Sequence, residues 1–296
     1  MVSRPDILCI GAVLWDVIGR SAAHMRVGSD VPGRIVRLPG GVAMNIAMTL
    51  ARFGLTPALL TLVGRDAEGE ELLAQAALLG CRTDWATRSD DLPTDRYMAI
   101  EGANGLIAAI ADAHSLEAAG RRILEPLTDG RLGSEEAPWD GLVALDGNLT
   151  ELLLAEIAGS ALFAAADLRV APASPGKAER LTTLMGHPSA TLYVNLEEAG
   201  LICHESFASA EEAARALVAR GAARALVTHG GAAAAEATAD RCLTQAPPPV
   251  LVSRVTGAGD TFMAAHIASE VRGAGPEEAL DRALKSAAAY VSGDTP

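Results

Sequence analysis

The sequence predicts an α/β protein: a doubly wound, mostly parallel sheet flanked by helices, with a small β-sheet lid. Short apolar runs alternating with longer amphipathic stretches predict the sheet and its covering helices. Two extended segments that interrupt the alternation predict the lid. The apolar runs at 7–12, 58–63, 141–145, 168–171, 191–194 and 225–228 read as strands, and their near-continuous hydrophobicity reads as burial on both faces. Residues 250–252 read as one more strand, leading through a small-residue turn into a helix over 262–271.

Between the strands the helical stretches carry end signals. Ser209 with Glu212 three residues on predicts a capping box, opening a helix that Gly221 closes. Pro276, followed by Glu277 and Glu278, predicts the start of the last helix, where proline lacks only an unneeded donor and acids meet the positive dipole end. The lid comes from two places. Residues 97–101 and 106–111 flank Gly102-Ala103-Asn104-Gly105, and Asn-Gly is a strong hairpin signal. The stretch 13–38 lacks a helical period and contains Gly19, Gly28, Pro32 and Gly33. No long linker or repeat divides the chain, so the expectation is one domain over 1–296, with lid insertions at about 13–38 and 95–112.

Composition excludes several classes. The 296 residues are half hydrophobic and carry a net charge of −13, with no Lys/Arg run to track a phosphate backbone, which argues against nucleic acid as a partner. A small anionic ligand remains open, because backbone amides at one loop can hold it whatever the overall charge. Cys9, Cys81, Cys203 and Cys242 are scattered without ligand spacing and read as reduced, mostly buried thiols. The stretch 1–10 is charged and proline-containing before a short apolar run, unlike a signal peptide, and no run approaches the ~20 apolar residues of a membrane span. A cytoplasmic protein is the expectation.

Five constellations carry possible chemistry. In Thr256-Gly257-Ala258-Gly259-Asp260-Thr261 small residues open a helix, so a phosphate could approach free amides at a positive dipole end. Asp260 at the same helix start could accept the proton of an attacking hydroxyl, or could merely complement the dipole. Gly40 and Gly41 precede a helix with Asn45 one turn in, suited to close ligand approach and hydroxyl binding, or to an ordinary turn. Asp16 lies just past the first strand, where sheets of this kind line their ligand crevice, and a carboxylate there could take both bonds of a vicinal diol. Asn195 and Glu198 share a helix face, with Glu198 placed to hold Mg²⁺ through water or to close a capping box. Thr228-His229-Gly230-Gly231 offers small residues where a nucleotide could lie, while His229 and His266 show no partner.

In this order, the segments resemble the ribokinase-like (PfkB) carbohydrate kinase family over essentially the whole chain. Gly40-Gly41-x-Ala43-x-Asn45-x-Ala47 resembles its N-terminal signature and Val255-Thr256-Gly257-Ala258-Gly259-Asp260 its C-terminal one. The resemblance implies an ATP-dependent kinase acting on a sugar or nucleoside hydroxyl. It implies Asp260 as catalytic base and Gly257, Ala258 and Gly259 as the anion hole. Asp16, Gly40, Gly41 and Asn45 fall to the acceptor, Thr228 and Gly230 to the nucleotide, and Asn195 and Glu198 to Mg²⁺ and phosphate. Arg254 stands where the family often has an Asp of a monovalent-cation site, so K⁺ activation is doubtful here, and Ala233 replaces a second glycine of the nucleotide loop.

Three short motifs resemble the pseudouridine kinases of that family. They are residues 107–116, containing Asp112, then Asp146-Gly147-Asn148, and Ala173-Ser174-Pro175-Gly176-Lys177-Ala178. Asp112 and Asn148 are therefore candidates to meet a base edge, although Asn148 is also placed to cap a helix, with Glu151 three residues on. Ribokinase, fructokinase and ketodeoxygluconate kinase are the alternatives, and a non-catalytic sugar or nucleoside sensor is the rival of another class. A dinucleotide-dependent oxidoreductase does not fit, since no Gly-x-Gly-x-x-Gly follows the first strand. An exposed edge of the lid would allow two copies to pair.

Overall fold

The computed structural model describes residues 4–26 and 28–293. The first three residues of the charged N-terminal stretch, and Val27 of the expected lid, lie outside the described residues. In chain order the strands are β1 (Ile7–Ile10), β2 (Leu14–Arg20), β3 (Arg34–Gly40), β4 (Pro57–Leu60), β5 (Leu62–Gly64), β6 (Thr87–Ser89) and β7 (Arg96–Gly102). They continue with β8 (Gly105–Asp112), β9 (Leu142–Asp146), β10 (Asp167–Ala171), β11 (Thr191–Asn195), β12 (Arg224–His229), β13 (Ala232–Thr238) and β14 (Cys242–Gln245). The helices are α1 (Val42–Arg52), α2 (Ala67–Leu78), α3 (His114–Ala119), α4 (Glu151–Gly159), α5 (Leu196–Cys203), α6 (Ala210–Ala219), α7 (Ala258–Val271) and α8 (Pro276–Ser292).

Eight strands form the main sheet in the order β14-β13-β12-β11-β10-β9-β1-β4, parallel from β12 to β4 with β13 and β14 antiparallel at one edge. The period-2 pleat of β1 sorts its side chains onto two cores. Ile7 and Cys9 pack with α1, α7 and α8 through Met44, Leu50, Phe262, Ile267 and Leu280, while Leu8 and Ile10 pack with Leu153, Leu154, Ala213 and Leu217 of α4 and α6. Helices thus cover both faces, as the alternation predicts. Ser209 caps α6 by accepting from Glu212 N–H, but the Glu212 carboxylate reaches back to Ala208 N–H rather than closing the box on Ser209.

The lid is a second sheet in the order β3-β2-β7-β8. Its two hairpin halves meet along β2 and β7, which run parallel with Asp16 opposite Tyr97. Two expectations are corrected. The run 58–63 is not one strand: it breaks at buried Thr61, with β4 in the main sheet and β5 paired to β6 in a small separate one. Residues 250–252 form no strand, and Leu251 is 90% exposed, so this apolar stretch follows three prolines as irregular surface chain.

Candidate active site

The site is assembled from two helix starts and the C-terminal ends of the parallel strands. Helix α7 is buried on all sides from Thr261 to Ser269, wedged among the sheet, α1 and α8, which fixes its first turn. No side chain caps it, and a methyl added at Gly259 would meet nothing within 4 Å, so the helix start opens on free space. One expected anion-hole donor is already committed: the N–H of Ala258 donates to Val255 O at 3.0 Å. Gly257 takes a left-handed φ of 87°, which residues with side chains rarely adopt.

Asp260 sits in that first turn and Asn45 in the second turn of α1, and the Asn45 amide donates to Asp260 Oδ2 at 2.9 Å. Asn45 is therefore neither on a solvent face nor in an ordinary turn. The glycines before it are demanded by the protein's own packing: a methyl at Gly40 would lie 2.1 Å from Asp16 Oδ2, and one at Gly41 2.4 Å from Ala12 O. Asp16 is not simply past the first strand but within β2 of the lid, folded back against Gly40.

A cluster of carboxylates surrounds this pair. Burial pushes the Asp260 carboxyl up to about 7, against the Asn45 hydrogen bond and with the negative charges of Asp146, Asp16 and Glu198 adding to the rise. Burial likewise lifts Asp16 to about 6. Buried Asp146, at the end of β9, is raised by burial although it accepts from Ala12 N–H at 2.8 Å and from both the backbone and the amide of Asn148. Burial also raises Glu198. Negative charge is expensive among these carboxyls, so a proton or a cation is welcome there.

Asn195 and Glu198 make the capping box of α5, each side chain accepting from the other's backbone N–H. That engages one oxygen of each and leaves Glu198 Oε1 and the Asn195 amide outside the box. Among the described residues no three or more His, Cys, Asp or Glu side chains cluster closely enough to hold a metal ion by themselves. What the helix start offers a cation is one carboxylate oxygen of Glu198 and one amide of Asn195, a donor set suited to Mg²⁺ held mainly by other ligands. Thr228 lies opposite Asn195 on the neighbouring strand, and Gly230 follows in an exposed turn at φ 56°.

Asn148 does not cap α4; Thr150 does, accepting from Leu153 N–H. Instead Asn148 Oδ1 accepts from Lys177 Nζ at 2.6 Å, which brings two separately read motifs into one contact. Asp112 stands apart, exposed at the end of β8 opposite Arg96, with its charge felt by Asp95. Two residues beside Asp260 had no role in the sequence reading. Asp146 ends an apolar strand at the crevice side, a signal that was readable; Tyr290, which touches the turn before Asp260, gave none. His266 was read as partnerless, yet it is fully buried on Tyr193, Arg224 and Glu236.

The raised Asp260 carboxyl has one expected consequence. If Asp260 must be ionised to accept a proton, kcat/KM rises with pH through about 7 with unit slope before levelling, since the raised group holds its proton below that value. A profile flat from pH 5.5 to 8.5 excludes Asp260 as the ionisation that limits the rate.

The family model for pfkB family carbohydrate kinase matches residues 4–294. Among curated relatives, the chain is 27% identical over 176 residues to the pseudouridine kinase of Arabidopsis thaliana, covering 59% of this chain and 44% of that one. It is 33% identical over 113 residues to the pseudouridine kinase of Escherichia coli, covering 38% of this chain and 36% of that one. The match thus spans less than half the length of either relative. Of solved structures, a carbohydrate kinase from Agrobacterium tumefaciens superposes with a TM-score of 0.79 at 25% identity, covering 96% of this chain and 89% of that one. The Arabidopsis thaliana ribokinase complexed with ribose and ATP superposes with a TM-score of 0.76 at 19% identity, covering 98% and 93%.

Proposed function

Since the chain belongs to the pfkB family of carbohydrate kinases, we propose that it transfers the γ-phosphoryl group of ATP to the 5′-hydroxyl of pseudouridine, giving pseudouridine 5′-phosphate and ADP. The observation that carries the reaction is the Asn45–Asp260 pair at the open start of α7. Asp260 accepts the hydroxyl proton as the oxygen attacks in line, while Asn45 keeps its carboxylate turned to the acceptor. The amides of Gly259 and Asp260, at an uncapped helix start, receive the transferring group's oxygens. Asp16 on the lid accepts from the ribose diol, and Gly41 lets the chain pass close beneath it. Thr228 and Gly230 border the nucleotide.

Mg²⁺ bound with ATP neutralises phosphate charge, and Glu198 and Asn195 are the residues we assign to hold it, through water. Ionising Asp260 amid Asp146, Asp16 and Glu198 is costly, a cost that Mg²⁺ would lower if held beside Glu198. The guanidinium of Arg254 donates to Tyr290 O and stacks on its ring, which supports a reaction that needs no K⁺.

Pseudouridine as acceptor is supported by the curated relatives' names and by the Lys177–Asn148–Asp146 chain, which presents fixed polar groups for a base edge. We assign that edge to Asn148, while the exposed position of Asp112 suits it to the lid rim. Four free cysteines support a reducing compartment, the cytoplasm.

The test is ADP release with pseudouridine, uridine, ribose, fructose and ketodeoxygluconate in parallel, in KCl and in NaCl. Pseudouridine is expected to give the highest kcat/KM, equal in both salts. Faster turnover of ribose or fructose removes the acceptor assignment alone. Turnover of none of them removes these acceptors altogether.

A further inference from the structure

The chain that delivers the helix start to the site has no strand to hold it. After β14 it runs irregularly to Thr256, and what anchors it is the C-terminal end of α8. Ser253 N–H, Arg254 N–H and the Ser253 hydroxyl all donate to Val291 O, at 2.9, 3.2 and 2.9 Å, and Arg254 Nε donates to Tyr290 O at 2.7 Å. The last carbonyls of a helix have no donor within it, and a cation there also meets the negative dipole end.

Tyr290 closes the tie from beneath the turn. Its hydroxyl donates to Thr256 O at 2.8 Å. A methyl at Gly257 would lie 2.6 Å from that same hydroxyl oxygen, so the phenol fills the space under the turn. The Arg254 guanidinium lies 3.8 Å from the Tyr290 ring centroid and fixes the ring's orientation. Ring, hydroxyl and guanidinium together set the peptide between Thr256 and Gly257, two residues before the amide of Gly259.

We propose that Tyr290, clamped by Arg254, is a positioning residue for the anion-binding turn 256–260, a role that rests on the phosphoryl transfer proposed above. Donors aimed at developing charge help only if they are already in place when it develops. With the hydroxyl bound, the Thr256 carbonyl is tied down and Gly257 stays in its left-handed conformation. The effect belongs to the transition state, so it falls on kcat and spares binding of the acceptor.

The experiment compares Tyr290→Phe and Arg254→Gln with the wild type in two assays. Amide hydrogen exchange on the unliganded protein is expected to quicken in residues 256–261 of both variants, with the main sheet unchanged. Steady-state kinetics are expected to show kcat lowered about three- to tenfold in Tyr290→Phe, as one lost neutral hydrogen bond implies, with the acceptor KM unmoved. Exchange unchanged in the turn overturns the proposal, as does quickening spread over the whole protein, or a rise in acceptor KM at constant kcat. A wild type that turns over none of the acceptors tried removes those acceptors alone, while the exchange comparison still decides whether Tyr290 holds the turn.

Discussion

Asp260→Asn is expected to lower kcat by about a hundred- to ten-thousandfold, the contribution of a placed general base, with nucleotide affinity retained. The change is isosteric. The new amide oxygen can still accept from Asn45, so the geometry of the two helix starts survives and only proton acceptance is lost. A companion effect carries the opposite sign. The folded protein raises this carboxyl from 3.8 to about 7, so ionising it disfavours the fold. The wild type's stability from this group is therefore present below the unfolded value and lost as pH rises through about 7. The variant should melt higher than the wild type at pH 8, with the gap closing as pH falls towards 4. A variant within tenfold of wild-type turnover would show that another group takes the proton.

The largest stability effect is expected on the far side of α7. Glu236, with no exposed surface, receives Arg224 and Arg241 and lies 3.4 Å from His266. Glu270 receives Arg169 and Arg224, and Arg169 also meets Asp167 and the Tyr193 hydroxyl. Burial opposes ionisation of Glu236, but His266 and the two arginines outweigh it and hold the carboxyl at about 2. Removing one partner of such a buried set leaves uncompensated charge, at a cost of about 3–5 kcal/mol. Glu236→Gln is thus expected to lower Tm by roughly 10 °C at pH 7, measured by calorimetry. Because the folded value is depressed, this stability exists above the unfolded value of 4.5 and fades as pH falls towards about 2, so wild type and variant should converge in acid. A constant gap across that range would assign the loss to packing instead of charge.

What the sequence made legible follows from which forces act locally. The parallel strands were readable because burial on both faces writes a continuous apolar run, and the hairpin because of Asn104-Gly105, although its turn falls at Ala103-Asn104 and Gly105, at φ 90°, already opens β8 opposite Gly102. The break at Thr61 was hidden, since a single polar residue inside an apolar run does not say which sheet each half joins. Residues 250–252 misled for the converse reason: apolar side chains without a pairing partner stay exposed. At the site, Asp260 and Asn45 were identified separately from their helix starts, but their contact spans 215 positions and only the fold supplies it. The same holds for His266, whose partners come from three other elements. Gly40 and Gly41 read as room for a ligand or as an ordinary turn, whereas what a side chain there would strike is Asp16 and Ala12, which only the fold brings close.

Helix α7 is enclosed along nearly its whole length, whereas β3 and β8 are the open edges of the lid and carry Ile35, Leu38 and Ile110 largely in solvent. The two elements therefore differ in how freely they can drift under mutation. A substitution inside α7 disturbs close-packed neighbours on every side, while one on a lid edge disturbs few. Substitutions can gather along the lid edges while α7 stays fixed, so on the reaction proposed above a lineage built on this scaffold would change what it phosphorylates long before it changed how.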